Sequence, residues 1–275
     1  MPRKETRHER SARGLPLLLA GLWLGCAPAA EAPSELEELS TYLFRQFDRG
    51  EEGTLEAGLG NLADALQGVD LTVPHDERTY AMSLLDEEDV AGITRPDRDV
   101  DVGIAVALAA SSAFPPADHA AVATLADLTV VEPGTPEVHD RTFVDPPDPT
   151  CFPGRECLVL RTLNDLEKDN VAMSFAYTLL EDVRWVELRE PGSGEWGLVS
   201  RSWIEASAVG QQEANVIHQV YSADAFLPVD GGTVRFTTIW MEAEILGASD
   251  EVLEGSTAYD MHRTNQATET YLEGR

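Results

Sequence analysis

Residues 215–245, NVIHQVYSADAFLPVDGGTVRFTTIWMEAEI, decide the architecture. Two runs rich in Val, Ile, Thr and aromatic residues, 215–226 and 233–245, flank Asp230-Gly231-Gly232. Glycine accepts the positive φ of a tight hairpin turn, and β-branched and aromatic side chains suit a pleated, half-buried surface. The stretch therefore reads as a β-hairpin. Similar signals continue towards the N-terminus, giving expected strands at 157–164, 171–180, 183–189 and 196–205, with Pro191-Gly192-Ser193-Gly194 as a second hairpin turn. Short connections between successive strands favour an antiparallel meander.

Working outward, residues 256–272 contain neither proline nor glycine and predict a terminal helix. On the other side, Val100, Val102, Ile104, Val106 and Leu108 alternate with small or polar residues, a strand signature beginning near residue 99 and stopped by Pro115-Pro116. An Ala-rich helix is expected over 118–127. Residues 132–156 hold six prolines and read as an ordered loop or a connection. Near the start, Ser34 and Glu37 form a capping-box pattern, and Leu36, Leu39, Leu43 and Phe47 recur at helical spacing, predicting a helix over 35–48. Glycines at 50 and 53 break it. Thr54 then caps a second helix carrying Leu55, Leu59, Leu62 and Leu66, which Gly68 ends. Residues 69–98 show no clear period.

The fold class is α+β: an N-terminal helix hairpin, then a mainly antiparallel sheet closed by a C-terminal helix. The domain reading is a signal segment at 1–25, a tether at 26–33, a helical region at 34–98 and an α+β domain at 99–275. From residue 99 the element order resembles the START-like helix-grip fold: one strand, a helical insert, an antiparallel run and a long closing helix. That resemblance implies a sheet wrapped on its last helix, often around an apolar ligand cavity.

Arg3, Lys4, Arg7, Arg10 and Arg13 precede an apolar run, 15–25, that ends in Gly25. A basic start, a short apolar stretch and a small residue before a boundary describe an export signal, and the run is too short to span a bilayer. Gly25-Cys26 resembles the lipobox of bacterial lipoproteins, with Trp23 standing where that family has leucine. The resemblance implies acylation of Cys26 and a lipid-anchored chain in the cell envelope, facing the periplasm or the outside. The alternative is a secreted soluble protein cut after Ala27-Pro28-Ala29. The chain has three cysteines. With Cys26 lipidated, Cys151 and Cys157 remain, separated by a segment whose Pro153-Gly154 suits a type II turn, and an oxidising compartment would join them.

The net charge of −29 makes nucleic acid an unfavourable partner, since phosphate neutralisation needs a basic face. No metalloprotease helix, nucleophile elbow, P-loop or dinucleotide fingerprint is present. The segment from Asp48 to Leu59 resembles an EF-hand loop but has Gly50 at its third position and Leu59 at its twelfth, so two carboxylates remain where calcium needs more. No cofactor and no metal are expected.

Aromatic and basic residues gather on the expected strands. Val199, Arg201 and Trp203 share one face of a strand, where the arginine could anchor an acidic head group. The expected ligand-binding set is Arg201, Trp203, His218, Tyr221, Arg235 and Trp240. The competing reading makes Arg201 a partner of a surface carboxylate, and Trp203 and Trp240 core anchors. Three functions follow: a non-enzymatic module binding a small apolar ligand or an envelope partner, a structural component of the envelope acting through the 35–67 hairpin, or an enzyme whose groups converge only in three dimensions.

Overall fold

A computed structural model describes residues 31–49, 53–132, 139–170, 173–188, 194–212 and 214–275. The segment expected as an export signal, Cys26 and Pro191 to Ser193 lie outside them.

The first helix pair is α1, Leu36–Arg49, and α2, Thr54–Ala65. The strands are β1 Thr79–Ala81, β2 Ile104–Ser112, β3 His139–Asp145, β4 Val159–Asn170, β5 Met173–Glu187, β6 Trp196–Ile204, β7 Ala208–Val209, β8 Val216–Val229 and β9 Gly232–Glu244. Helix α3, Pro116–Ala123, follows β2, and α4, Asp250–Glu273, closes the chain. The sheet runs β1-β2-β9-β8-β6-β5-β4-β3, and β7 adds to β8. All paired neighbours are antiparallel. Successive strands form the expected meander, and β2 returns to lie beside β9, with Ile104 opposite Met241 and Ser112 opposite Thr233. The α+β class with a large antiparallel sheet and a C-terminal helix is the observed architecture.

Register divides the sheet into two faces, because residues directly opposite across antiparallel strands point the same way. Leu108, Thr237, Asp224, Ser200, Val183 and Leu160 form one continuous row. Ala109, Phe236, Ala225, Val199 and Arg184 form its complement on the other face. The first face lies under α4, whose Ala258 and Met261 pack on Val106 and Leu108. The second lies under α1 and α2, whose Leu43, Phe44, Phe47, Leu55, Leu59 and Leu62 share the main core with Val199, Phe236 and Trp240. Strand β2 is covered on both sides, so Ile104 to Ala110 are buried without a break. Ala105, Ala107 and Ala109 lie on the α1 side and let that helix approach closely.

The helix hairpin is tight because α2 places Gly58 against α1. A Cβ there would come 2.9 Å from Leu43 and 3.0 Å from Tyr42. A Cβ at Gly60, elsewhere on the same helix, would meet nothing within 4 Å.

Several expected boundaries move, each for a local reason. The strand near residue 99 starts only at Ile104, because Gly103 enters the sheet at φ 94° with Met241 O packed where a Cβ would sit. The strands expected at 171–180 and 183–189 are one strand: Glu181 and Asp182, which look like a break, are held by arginines on opposite faces. The proline-rich stretch expected as loop contains edge strand β3. Helix α3 begins at Pro116, so the prolines that stop β2 also start the helix, where a missing N–H costs nothing. Helix α4 begins at Asp250, ahead of the expected start, running through exposed Gly255.

Cys151 and Cys157 form a disulfide with Cα atoms 5.4 Å apart. The loop they close places Phe152 against Trp185, whose indole Nε1 donates to Phe152 O at 2.8 Å. Arg155 lies over the rings of both Trp185 and Trp196. This loop and α3 cover the β4-β5-β6 end of the α4 face, sharing a small core of Ala120, Phe152, Leu160, Val183, Trp185 and Leu198.

Candidate functional site

Helix α4 changes character along its length. Its first half presents Leu253, Ala258 and Met261, and its second half presents Thr264, Asn265 and Thr268 at helical spacing. The apolar half sits on β2. In the polar half Asn265 accepts from Arg235 of β9, and Glu269 accepts from Ala113 N ahead of α3. Between α3 and α4, over β5, β6, β8 and β9, lies a cavity of about 100 Å³. Its walls mix Val122, Val183, Leu198 and Phe226 with Arg141, Glu181, Asp224, Arg235 and His119.

Each charged group of the sheet is positioned by a strand. Arg235 on β9 donates through Nε and Nη2 to Asp224 Oδ1 on β8, at 2.8 and 2.6 Å, and through Nη1 to Asn265 Oδ1 on α4, at 2.9 Å. Thr237 donates to the same Asp224 oxygen at 2.5 Å, and Ser200 donates to the other at 3.3 Å. This pair locks α4 onto the sheet. Arg141 on β3 donates from Nη2 to Glu181 Oε2 at 2.7 Å, with Thr162 Oγ1 at 3.3 Å. Phe143 has its ring centroid 5.5 Å from the guanidinium carbon. The Arg141 side chain is 0% exposed, yet its Nε and Nη1 have no hydrogen-bond partner among the described residues. An unmet buried donor costs about 1–3 kcal/mol. Asn265 Nδ2 is likewise buried and unpartnered among them, its carbonyl oxygen being held by Arg235.

The electrostatics follow from burial. Burial pushes the Glu181 carboxyl above its usual range, against the downward pull of Arg141. His119 on α3 has its Nε2 2.9 Å from Ser112 Oγ. Burial, aided by Arg235, drives its pKa from 6.5 to about 4, so the ring is neutral at physiological pH.

The opposite face holds most of the aromatic and basic residues singled out from the sequence. Arg201 donates from Nε and Nη2 to Asp182 Oδ2, at 3.2 and 2.9 Å, and also pairs with Asp48 at the end of α1. Its guanidinium lies 4.7 Å from the Phe47 centroid and 5.2 Å from that of Trp203. Arg161 reaches Asp48 from β4 at 2.6 Å. Burial raises the Asp182 carboxyl, opposed by Arg201. Trp203 Nε1 donates to Thr94 O at 3.0 Å, and Trp240 Nε1 to Ser83 O at 2.9 Å. Tyr221 donates to Gln219 Oε1 at 3.1 Å, and Phe44 makes edge contacts with both Tyr221 and Trp240. His218 sits 3.3 Å from Glu244 near the end of β8 away from the β8–β9 turn. Of the six residues, Arg201, Trp203, Tyr221 and Trp240 thus gather under α1, and Arg235 alone reaches the cavity.

Sequence reasoning did not select Arg141, Glu181, Asp224, Asn265 or His119. Arg141 lies in the stretch expected as loop, and Glu181 in the expected break. Asp224 carried the available signal: an acid at a position facing the same way as the apolar residues of its strand. Among the described residues, no group of three or more His, Cys, Asp or Glu side chains is placed to hold a metal ion, and no helix is long and apolar enough to cross a membrane.

No family model and no curated protein matches the chain. Among solved structures it is similar to a STAR-related lipid transfer protein from Xanthomonas axonopodis, at 10% identity and a TM-score of 0.42 over 64% of this chain and 90% of that one. The protein TTHA0849 from Thermus thermophilus gives 16% and 0.39 over 61% and 96%. A START superfamily protein from Mycobacterium smegmatis gives 10% and 0.37 over 62% and 97%. Likenesses this partial say nothing about a ligand, so the chemistry of the cavity has to speak for itself.

Proposed function

We propose that this protein is a non-enzymatic binding module that takes a small molecule into the cavity between α3, α4 and the sheet. The observation that carries this reading is the mixed lining. Val122, Val183, Leu198 and Phe226 offer apolar contact beside a buried arginine with unmet donors, the combination of apolar wall and few convergent polar groups expected of a ligand site. The titratable groups favour binding over catalysis. Glu181 and Asp224 are each engaged by an arginine, and His119 is neutral and held by Ser112. The ligand is small, with its apolar part against the valine and leucine side chains.

The same proposal places the module outside the cytoplasm, exported by the 1–25 segment and anchored through an acylated Cys26. The supporting facts are the basic start, the short apolar run and Gly25-Cys26, together with a disulfide, which persists in oxidising compartments. Native mass spectrometry of the protein isolated from its own membrane tests both halves. A retained small molecule and an acyl mass at Cys26 are expected. A bare chain held in a stoichiometric protein complex would overturn the small-molecule reading, and an unmodified Cys26 would overturn the anchor.

A further inference from the structure

The fully buried side-chain polar atoms left without partners next to the cavity are, among the described residues, donors: Nε and Nη1 of Arg141, and Nδ2 of Asn265 beside cavity-lining Thr264 and Thr268. An occupant has to bring acceptors. Resting on the binding-module reading above, we infer that the ligand is a short-chain organic acid whose single carboxylate accepts from Arg141, with its carbon chain against Val183 and Leu198.

Charge selects a monoanion. Each nitrogen of Arg235 already donates to Asp224 or Asn265, whereas two of the three nitrogens of Arg141 have no partner among the described residues. A dianion such as phosphate would face the carboxylates of Glu132, Glu181 and Asp224, which line the same space. A guanidinium edge matches the two oxygens of a carboxylate, and hydrogen bonds between ionised partners are roughly twice as strong as neutral ones. Phe143 covers one side of the guanidinium and Glu181 holds its Nη2, so the remaining donors are fixed in direction before a ligand arrives. Size selects a short chain. A volume of about 100 Å³ leaves room for an acid of a few carbons.

The test is isothermal titration calorimetry of the whole chain with butyrate and with butyramide, the neutral isostere, at matched ionic strength. Butyrate is expected to bind one to one, and butyramide about tenfold or more weakly, equivalent to about 1.4 kcal/mol. Arg141→Gln removes the difference, and Ala123→Phe, which fills the cavity from α3 while keeping Arg141, abolishes both. Should Arg141→Gln fail to fold, Arg141→Lys retains the charge without the fork and is expected to narrow the ratio. Equal affinity for butyrate and butyramide, with both lost in Ala123→Phe, overturns the carboxylate inference and leaves the binding module standing. Absence of binding by either at tens of millimolar overturns both. Unchanged butyrate affinity in an Arg141 variant overturns the assignment to that side chain.

Discussion

Arg201 and Arg141 show how differently one residue type is used on the two faces of one sheet. Arg201 has Asp182, Asp48 and three aromatic rings around it. Its work is to neutralise a carboxylate that β5 cannot expose, since the Asp182 side chain is only 8% accessible. Breaking such a pair from one side strands the other charge, at a cost of about 3–5 kcal/mol. Arg201→Met is therefore expected to lower the unfolding free energy by that order in urea denaturation, and Asp182→Leu added to it to recover a large part. A loss below about 1 kcal/mol would mean that water reaches Asp182 freely. His119 gives a prediction in pH. Its folded pKa of about 4 lies below the unfolded 6.5. Between those values the unfolded chain binds a proton that the folded chain refuses, so stability falls as pH drops through that window and the loss is nil above it. The full loss is on the order of 3 kcal/mol. Plotted against pH, the stability difference between the protein and His119→Gln should be flat above pH 6.5 and slope below it. A flat line throughout would show that the ring is solvated.

At the scale of elements, the helix hairpin, the strand signals and their antiparallel order were legible because each rests on a local period or a turn residue. Leu36, Leu39, Leu43 and Phe47 needed only helical spacing, and Asp230-Gly231-Gly232 needed only glycine chemistry. What was hidden depends on partners far away in the chain. Glu181 and Asp182 look like a break until Arg141 and Arg201 are brought to opposite faces. Edge strand β3 hides in a proline-rich stretch because an edge needs pairing on one side only, here from β4. The alternation in β2 marked a strand, and which faces are covered is settled only by distant elements: both are, by α1 on one side and α4 on the other. Glycine in α2 makes the point experimentally. Gly60→Ala is expected to stabilise by about 0.5–1 kcal/mol through helix propensity alone. Gly58→Ala has the same propensity gain but forces Leu43 and Tyr42 away, so it should come out well below Gly60→Ala in thermal melts. Equal gains at the two sites would contradict the close α1–α2 approach.

The whole molecule is a sheet with a different task on each face. The α1–α2 face buries most of the aromatic side chains and one ion-pair network, and the apolar stripe of α1 is spent on that packing. An assembly role for the hairpin would have to use what α2 leaves exposed. The α4 face is unevenly filled: Ala258 and Met261 pack on Val106 and Leu108, a pocket of about 230 Å³ opens beside Glu251, Glu254 and Ala258 towards β1, and the cavity near Arg141 lies between the second half of α4 and the elements around the disulfide loop. That cavity was not legible in the sequence. It arises where α4 turns from leucine and methionine to threonine and asparagine, and where the charged groups of β3, β5, β8 and β9 meet beneath it. The most direct test that the cavity is the binding site is a methyl-labelled NMR titration with butyrate. The predicted result is saturable shifts of the Val122, Val183 and Leu198 methyls, with those of Leu43, Leu59 and Val199 on the other face unmoved. Shifts confined to the α1 face, or none at saturating butyrate, would contradict it.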